Sequence, residues 1–238
     1  MKKGLYKLVT RLGLVALAIL VAGGACLFFS PDIDDEGFEE VERTEAVVLV
    51  HGMGRTELSM VSMKRTLEEQ GYRVINWGYS SYCCSVDEIG QRLADDLDDL
   101  EEPRPDRLHF VGHSLGGIII RWLLHHDPPP EKGRVVTLAT PHRGAEVADR
   151  YVDYGEWLYD PLDDLTTDEE STARSLPPIE DRQVGTIAGE YDGKVAPEEA
   201  RVPRETDHAE VPAHHSFLMG RADVQELVVR FLQNGRFD

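Results

Sequence analysis

A serine lies between two glycines in the segment 112–116, whose sequence GHSLG matches the pattern G-x-S-x-G. In this pattern the serine occupies a sharp turn from a strand to a helix, where its hydroxyl is exposed to substrate. The flanking sequence agrees, because the apolar run Leu108–Val111 precedes the motif and a helix-like apolar run, Gly117–His126, follows it. The spacing therefore predicts Ser114 as a nucleophile, and covalent acyl transfer is the chemistry that such a serine performs.

The elements that position this serine follow from alternating apolar patterns. Strands are predicted at Ala46–Val50, Arg73–Trp77, Leu108–Val111, Arg134–Ala139 and Val184–Ala188, with a sixth between Arg201 and Val211. Helices are predicted at about Leu58–Gln70, Ser85–Leu100, Gly117–His126 and Asp223–Gln233. Strands separated by helices imply crossover connections, so we expect a mainly parallel sheet with helices on both faces, in three layers.

One long stretch, Tyr151–Arg182, is acidic and shows no regular pattern. Insertions of this length commonly form lids or binding loops. The alternative is a surface excursion whose aromatic side chains pack against the edge of the sheet. The aromatic residues in question are Tyr151, Tyr154, Trp157 and Tyr159.

The N-terminal segment, residues 1–29, carries four basic residues before the uncharged run Leu12–Phe29, which is about the minimum length for crossing a bilayer. An uncleaved anchor fits this length. A cleaved secretory signal with its cut site near the small residues 22–25, or a lipoprotein site at Cys26, are the alternatives. In each case the basic flank keeps the N-terminus in the cytoplasm and the rest of the chain is exported.

Three parts of the chain are therefore expected: a signal-anchor segment over residues 1–29, an acidic stalk over 30–45 and a catalytic domain over 46–238, with 151–182 as a lid or cap insertion. The catalytic domain would then lie outside the cytoplasm, anchored to a membrane, or would be secreted after signal cleavage. The sequence does not decide the oligomeric state.

Charge and cysteine content exclude several classes of protein. The net charge of −19 and the lack of a basic stripe argue against nucleic-acid binding, since a phosphate backbone would be repelled. Cys83 and Cys84 are adjacent, so a bridge between them would need a strained ring, and no disulfide framework is expected. No clustered His/Cys pattern predicts a metal, and no cofactor is expected.

Four motifs resemble the α/β-hydrolase superfamily, and within it the compact bacterial lipases and esterases. They are VVLVHGMG at Val47–Gly54, GHSLGG at Gly112–Gly117, ATPHRG at Ala139–Gly144 and AGEYDGKV at Ala188–Val195. The resemblance covers about 46–237. It implies a three-layer α/β-hydrolase fold with a mainly parallel sheet of about six strands, and a serine hydrolase activity.

The resemblance also implies a catalytic histidine that follows the acid along the chain. The late candidates are His208, His214 and His215. We favour His215, because the Ser-Phe-Leu sequence after it looks like the pattern at the catalytic histidine of similar lipases. For the acid we choose Asp192, which follows the fifth strand, with Glu190 and then Asp207 as rivals.

The family further implies an oxyanion hole made of two backbone N–H groups. Leu115, after the nucleophile, would supply one, and Met53, in the loop after the first strand, the other. His51 in that loop is interpreted as a buried structural ring. The loop at Pro141–Gly144 is expected beside the serine, so that His142 or Arg143 touches substrate or merely packs under the insertion.

The leading hypothesis is a serine hydrolase that cleaves a carboxylic ester, either a small soluble ester or a lipid, with a Ser-Asp-His triad. An acyltransferase that uses the same triad is one alternative, since the acceptor of the acyl group cannot be read from sequence. A non-catalytic binding module on a hydrolase fold is the other, although such a chain would be expected to lose a triad residue.

Overall fold

The computed structural model describes residues 44–155 and 160–238. Within them, six strands form a sheet in the order β2-β1-β3-β4-β5-β6, and each neighbouring pair is parallel. The strands are β1 (Glu45–Val50), β2 (Arg73–Trp77), β3 (Arg107–His113), β4 (Lys132–Leu138), β5 (Val184–Gly189) and β6 (Asp207–Val211). This confirms the prediction of a mainly parallel sheet of about six strands.

Helices cover both faces of the sheet. They are α1 (Val61–Glu69), α2 (Val86–Asp98), α3 (Leu115–His126), α4 (Glu146–Gly155), α5 (Thr172–Ser175) and α6 (Ala222–Asn234). Alternate residues of β1 point into two separate apolar cores, one shared with α2 and α3 and the other with α1 and α6. Because β1 is buried on both faces, its sequence is a continuous apolar run, and the three layers follow.

Several boundaries differ from the predicted ones. β1 begins at Glu45, a residue that the predicted stalk had included. The helix predicted at Leu58–Gln70 is a 3₁₀ turn, Glu57–Met60, followed by α1, because the first turn closes with tighter i→i−3 hydrogen bonds. The start of α2 is as predicted, with Ser85 in a capping box.

The stretch at 151–182 is more ordered than the sequence suggests. It contains the end of α4, a 3₁₀ helix at Asp160–Leu165 and the short helix α5. Leu162, Leu165 and Ala173 from this region are buried in the core shared with α2 and α3. Short helices interrupted every few residues give no sustained period, which explains why the sequence showed none.

The aromatic residues of this stretch are only partly visible. Tyr151 is 60% exposed, so it does not pack against the sheet edge as one interpretation had expected. The side chains of Tyr154, Trp157 and Tyr159 lie outside what the structure describes. Movement of the segment as a lid stays a prediction.

The predicted signal-anchor segment, 1–29, and almost all of the predicted stalk lie outside the described residues. Among the helices that the structure describes, none is both long and apolar enough to cross a membrane.

Acidification is expected to destabilise this fold through His109, a fully buried residue in β3. Its Nδ1 accepts the N–H of Arg134 at 2.9 Å, and Nε2 lies 3.3 Å from the Glu45 carboxylate. Burial lowers the pKa of the ring from 6.5 to about 4, which the Glu45 charge opposes only in part. As the pH falls, the unfolded chain therefore binds a proton at His109 before the folded chain does. The contribution of neutral His109 to the free energy of unfolding is fully present above pH 6.5. It is lost as the pH falls to about 4, by up to about 3 kcal/mol.

Urea unfolding of the parent and of His109→Gln, at pH values between about 7 and 4, would measure this contribution. The free energy of unfolding of the variant should fall less steeply with acidification than that of the parent. Parallel pH dependences would show that His109 has the same pKa in the folded and unfolded chains.

Candidate active site

Ser114 lies at the junction of β3 and α3, in a backbone conformation that non-glycine residues rarely adopt. Its φ is 52° and its ψ is −122°, a combination that costs about 1–3 kcal/mol and clusters at functional sites. The turn is possible because the residues two positions before and two positions after Ser114 are glycines. A Cβ on Gly112 would lie 2.7 Å from the Gly117 nitrogen, and one on Gly116 would clash with the carbonyl oxygen of Val50.

A chain of two hydrogen bonds connects Ser114 to a carboxylate. The Ser114 hydroxyl lies 3.0 Å from Nε2 of His215, and Nδ1 of His215 lies 2.8 Å from Oδ2 of Asp192. Ser114 and His215 are each only 8% exposed. The structure thus brings together the three side chains that the sequence had singled out, from segments that lie up to 101 positions apart.

The backbone orients the Asp192 carboxylate. Its side chain is fully buried, and Oδ1 accepts the N–H groups of Lys194 at 2.8 Å and Val195 at 3.0 Å. Asp192 itself lies in the turn after β5, where its N–H donates to the Gly189 carbonyl. With Oδ1 occupied in this way, Oδ2 is held toward His215.

His113 contacts His215 through both its ring and a hydrogen bond to the His215 backbone. Its Nε2–H donates to the backbone carbonyl of His215 at 3.0 Å, and the two ring centroids are 4.9 Å apart. Burial and the nearby His215 ring lower the pKa of His113 well below its usual value, so this ring stays neutral at neutral pH. Sequence reasoning gave His113 no role, because its partner lies 102 positions away and no local signal marks the contact.

The two backbone N–H groups that the sequence predicts for an oxyanion hole have no hydrogen-bond partner within the described residues. Within the described residues, neither the N–H of Met53 nor that of Leu115 donates a hydrogen bond. Leu115 is the first residue of α3, where helical N–H groups have no intrahelical acceptor. The next residue after Met53, Gly54, donates its N–H to Ser81 Oγ at 3.0 Å, which fixes the loop.

His51 is buried in the same loop, as predicted for a structural ring. Its Nδ1 lies 3.0 Å from the Gly52 carbonyl, and its ring stacks on Tyr79 at 4.1 Å between centroids. Burial lowers the pKa of His51, so the ring is neutral and its Nδ1–H donates to Gly52.

The rival histidines lie elsewhere. His214 is exposed, and its Nδ1 hydrogen-bonds to the Tyr191 carbonyl at 2.7 Å. His208 lies on the edge strand β6, with Nδ1 2.6 Å from the Thr186 hydroxyl.

Neither rival acid hydrogen-bonds to His215 within the described residues. The Glu190 side chain is exposed, and the Asp207 carboxylate accepts the Phe237 N–H at 2.8 Å.

The loop at 141–144 contributes structure around the site. His142 is 2% exposed, and its Nε2 lies 3.0 Å from the Thr137 hydroxyl, so its hydrogen bond joins β4 rather than Ser114. Burial lowers the pKa of this ring well below its usual value. Arg143 is exposed, and its backbone N–H donates to the Glu199 carbonyl. Substrate contact by His142 or Arg143 stays a prediction.

Arg121 of α3 holds the neighbouring segments together and was missed by sequence reasoning. Its guanidinium is buried and donates to four backbone carbonyls instead of to a carboxylate, and burial lowers its pKa to about 10. The acceptors are the carbonyl oxygens of His142, Ala173, Leu176 and Pro177. The helix that begins directly after Ser114 is thereby connected to both the 141–144 loop and the region around α5.

No metal centre accompanies this arrangement within the residues that the structure describes, since no group of three or more His, Cys, Asp or Glu side chains there could hold an ion.

The parallel sheet with helices on both faces, and the family that the sequence matches, identify the protein as serine esterase-like and of the α/β-hydrolase kind. Residues 41–173 match the family described as "Putative serine esterase (DUF676)", and the chain belongs to that family. The resemblance to α/β-hydrolases of the lipase and esterase kind is therefore confirmed. A comparison with curated proteins finds no match.

Solved structures with the same fold come from several bacteria. The mature lipase BlEst2 of Bacillus licheniformis is 20% identical and aligns over 71% of this chain and 82% of its own, with a TM-score of 0.55. A lipase-esterase related protein of Clostridium acetobutylicum is 15% identical and aligns over 80% of this chain and 95% of its own, with a TM-score of 0.57. A hydrolase of Pseudomonas aeruginosa is 18% identical and aligns over 80% of this chain and 90% of its own, with a TM-score of 0.55.

Proposed function

We propose that the protein hydrolyses carboxylic esters through an acyl-enzyme formed on Ser114. The observation that carries this proposal is the hydrogen-bonded path from the Ser114 hydroxyl through His215 to Asp192, with distances of 3.0 and 2.8 Å. A serine hydroxyl is a weak nucleophile at neutral pH, and an adjacent base that is oriented by a third group is the arrangement that activates it.

In the first half of the reaction, Ser114 Oγ attacks the ester carbonyl carbon while Nε2 of His215 takes the hydroxyl proton. His215 then gives that proton to the departing alcohol oxygen as the C–O bond breaks. In the second half, Nε2 removes a proton from water as the water oxygen attacks the acyl carbon. His215 then gives this proton to Ser114 Oγ as the bond between Oγ and the acyl carbon breaks, which releases the carboxylic acid and restores the serine. Asp192 keeps Nδ1 protonated and stabilises the charged ring in both halves.

Each tetrahedral intermediate places negative charge on the former carbonyl oxygen. The Met53 and Leu115 N–H groups, both unpartnered within the described residues, are proposed to donate to it. Loss of one such donor typically costs about 10²–10³ in rate.

The substrate class that fits is a small-molecule or lipid ester. The solved relatives described as lipases and esterases support ester chemistry. The net charge of −19 disfavours substrates presented on strongly anionic surfaces, because the protein surface would repel them.

Labelling with a fluorophosphonate, followed by intact-mass and peptide analysis, tests the proposal. A single adduct on Ser114 that disappears in His215→Ala would support an assembled serine-hydrolase site. Folded protein that takes up no adduct would contradict the catalytic proposal and favour a binding module.

Replacement of Asp192 by asparagine is expected to lower kcat by about 10³–10⁴-fold, with little change in KM. The amide has one oxygen for the Lys194 and Val195 N–H donors, and its NH₂ group would then face His215 Nδ1, which favours the wrong tautomer. Steady-state hydrolysis of a chromogenic ester measures the effect, and Glu190→Gln is the matched control. A loss of equal size in the control would reassign the acid.

For the part of the chain before the catalytic domain, we propose that residues 1–29 anchor or export the protein and that the domain from 46 to 238 lies outside the cytoplasm. The uncharged run Leu12–Phe29 behind four basic residues supports this orientation. Protease added to spheroplasts of an expressing bacterium should digest the domain while a cytoplasmic marker survives. Protection of the domain until the cells are lysed would contradict the proposal.

A further inference from the structure

Two adjacent thiols lie in the loop between β2 and α2. Cys83 is exposed and Cys84 is 5% exposed, and both are free. Their sulfur atoms lie within contact distance of each other. An accessible thiol beside a second one is the arrangement found where a cysteine reacts with a reagent and its neighbour resolves the product.

Charge and burial give the two thiols different roles. The hydrogen bond from Cys84 lowers the pKa of the Cys83 thiol, whereas burial raises the pKa of Cys84. Arg92 lies beside the pair, with Nη2 3.2 Å from Cys84 Sγ. Since the thiolate is the nucleophile in disulfide exchange, Cys83 is the attacking sulfur and Cys84 the resolving one.

The same loop holds the segment that carries Met53. The Ser81 hydroxyl accepts the Gly54 N–H at 3.0 Å, and the Tyr79 hydroxyl donates to the His51 carbonyl at 2.7 Å. Ser81 is buried and lies only two positions from Cys83. A covalent change at the thiols is therefore expected to disturb the Ser81–Gly54 hydrogen bond, which fixes the loop after β1.

We propose that Cys83 and Cys84 form a thiol–disulfide exchange site for small-molecule disulfides, and that the Cys83–Cys84 disulfide shifts the loop that carries the Met53 N–H. The Cys83 thiolate attacks the reagent disulfide and forms a mixed disulfide, releasing one thiolate. Cys84, as its thiolate, then attacks the Cys83 sulfur and releases the second. The two cysteines lose two protons and two electrons, and the reagent becomes two thiols.

The Cys83–Cys84 disulfide formed in this way should be easily reduced again. Consecutive Cα atoms lie about 3.8 Å apart, which is closer than the usual separation across a disulfide, and such strained bridges are more easily reduced. The site therefore suits reversible modification better than permanent cross-linking. The effect on activity, unlike the modification itself, rests on the proposed function of Ser114.

Intact-mass analysis of the full chain carrying Cys26→Ser, incubated with glutathione disulfide, tests the modification. The expected result is a loss of two hydrogen atoms, reversed by dithiothreitol. With Cys84→Ser added, a stable glutathione adduct should accumulate on Cys83. With Cys83→Ser added instead, the buried Cys84 should react at least about tenfold more slowly. Full-length protein that keeps both thiols reduced under these conditions would overturn the proposal.

Ester hydrolysis measured on the same samples tests control of the site. Because complete loss of one oxyanion donor costs about 10²–10³, a displaced donor should lower kcat by about tenfold in the oxidised protein, with recovery after reduction. The Cys83→Ser protein should keep its activity in the presence of the reagent. Oxidised protein with unchanged kcat would overturn control of the Met53 loop.

The Ser114→Ala protein separates the two proposals. It should oxidise at the same rate as the parent, because no step of the exchange uses Ser114. If the parent protein forms the Cys83–Cys84 disulfide but does not hydrolyse esters, the exchange site is supported and the proposed hydrolase activity is refuted. Failure to oxidise in an active parent would do the reverse.

Discussion

Replacement of Ser114 by alanine is expected to lower kcat/KM for ester hydrolysis by about 10⁵–10⁶-fold, the scale on which serine hydrolases lose activity without their nucleophile. Alanine cannot form the acyl-enzyme, so the reaction would have to proceed by direct attack of water. A residual acceleration of about 10³–10⁴ over water is expected to remain, because the Met53 and Leu115 N–H groups and the binding surface are still present.

The fold should tolerate this change. The variant loses one hydrogen bond, between Ser114 Oγ and His215 Nε2, and the strained backbone at this position is equally strained for alanine. The free energy of unfolding should therefore change by no more than about 1 kcal/mol. The matched control is Ser59→Ala, since the Ser59 hydroxyl donates to the Thr56 carbonyl and touches none of the three side chains. Appreciable hydrolysis by Ser114→Ala, after mass analysis excludes contaminating parent protein, would assign the nucleophile elsewhere.

The turn at Ser114 and the elements on either side of it were predictable from local sequence because their signals are short-range. The turn at Ser114 needs side-chain-free neighbours at fixed offsets, and Gly112 and Gly116 occupy those offsets. The six parallel strands were equally predictable from the sequence, since strands buried on both faces are nearly continuous apolar runs. Helix starts were less so, as the 3₁₀ turn before α1 shows, because tight and ordinary turns share one apolar pattern.

What sequence reasoning could not predict are contacts between distant segments. It could rank His215 above His214 by resemblance, but the 3.0 Å approach to Ser114 depends on how β6 and the turn after it lie beside β5. The bond from His113 to the His215 carbonyl, and the four carbonyls around Arg121, involve backbone groups that leave no mark on sequence. The contact between Ser81 and Gly54 is of the same kind.

The two consecutive histidines offer the sharpest test of the assigned base. His215→Ala is expected to lower kcat/KM by about 10⁵–10⁶-fold, nearly as much as loss of the serine, because the members of such a triad act as a unit. His214→Ala should retain activity to within about tenfold, since its ring is exposed and hydrogen-bonds to the Tyr191 carbonyl instead of to Ser114 or Asp192. The opposite ranking of the two variants would move the base to His214.

Non-additivity distinguishes a catalytic role of His215 from a structural one. If every catalytic step of His215 depends on Ser114, the double variant Ser114→Ala/His215→Ala should be no slower than Ser114→Ala alone, because without the serine there is no attack to assist and no acyl-enzyme to hydrolyse. If His215 instead supports the fold through its buried ring and its carbonyl bond with His113, the two losses should multiply and the free energy of unfolding should fall as well. Steady-state kinetics and urea unfolding of the four proteins therefore separate the two roles.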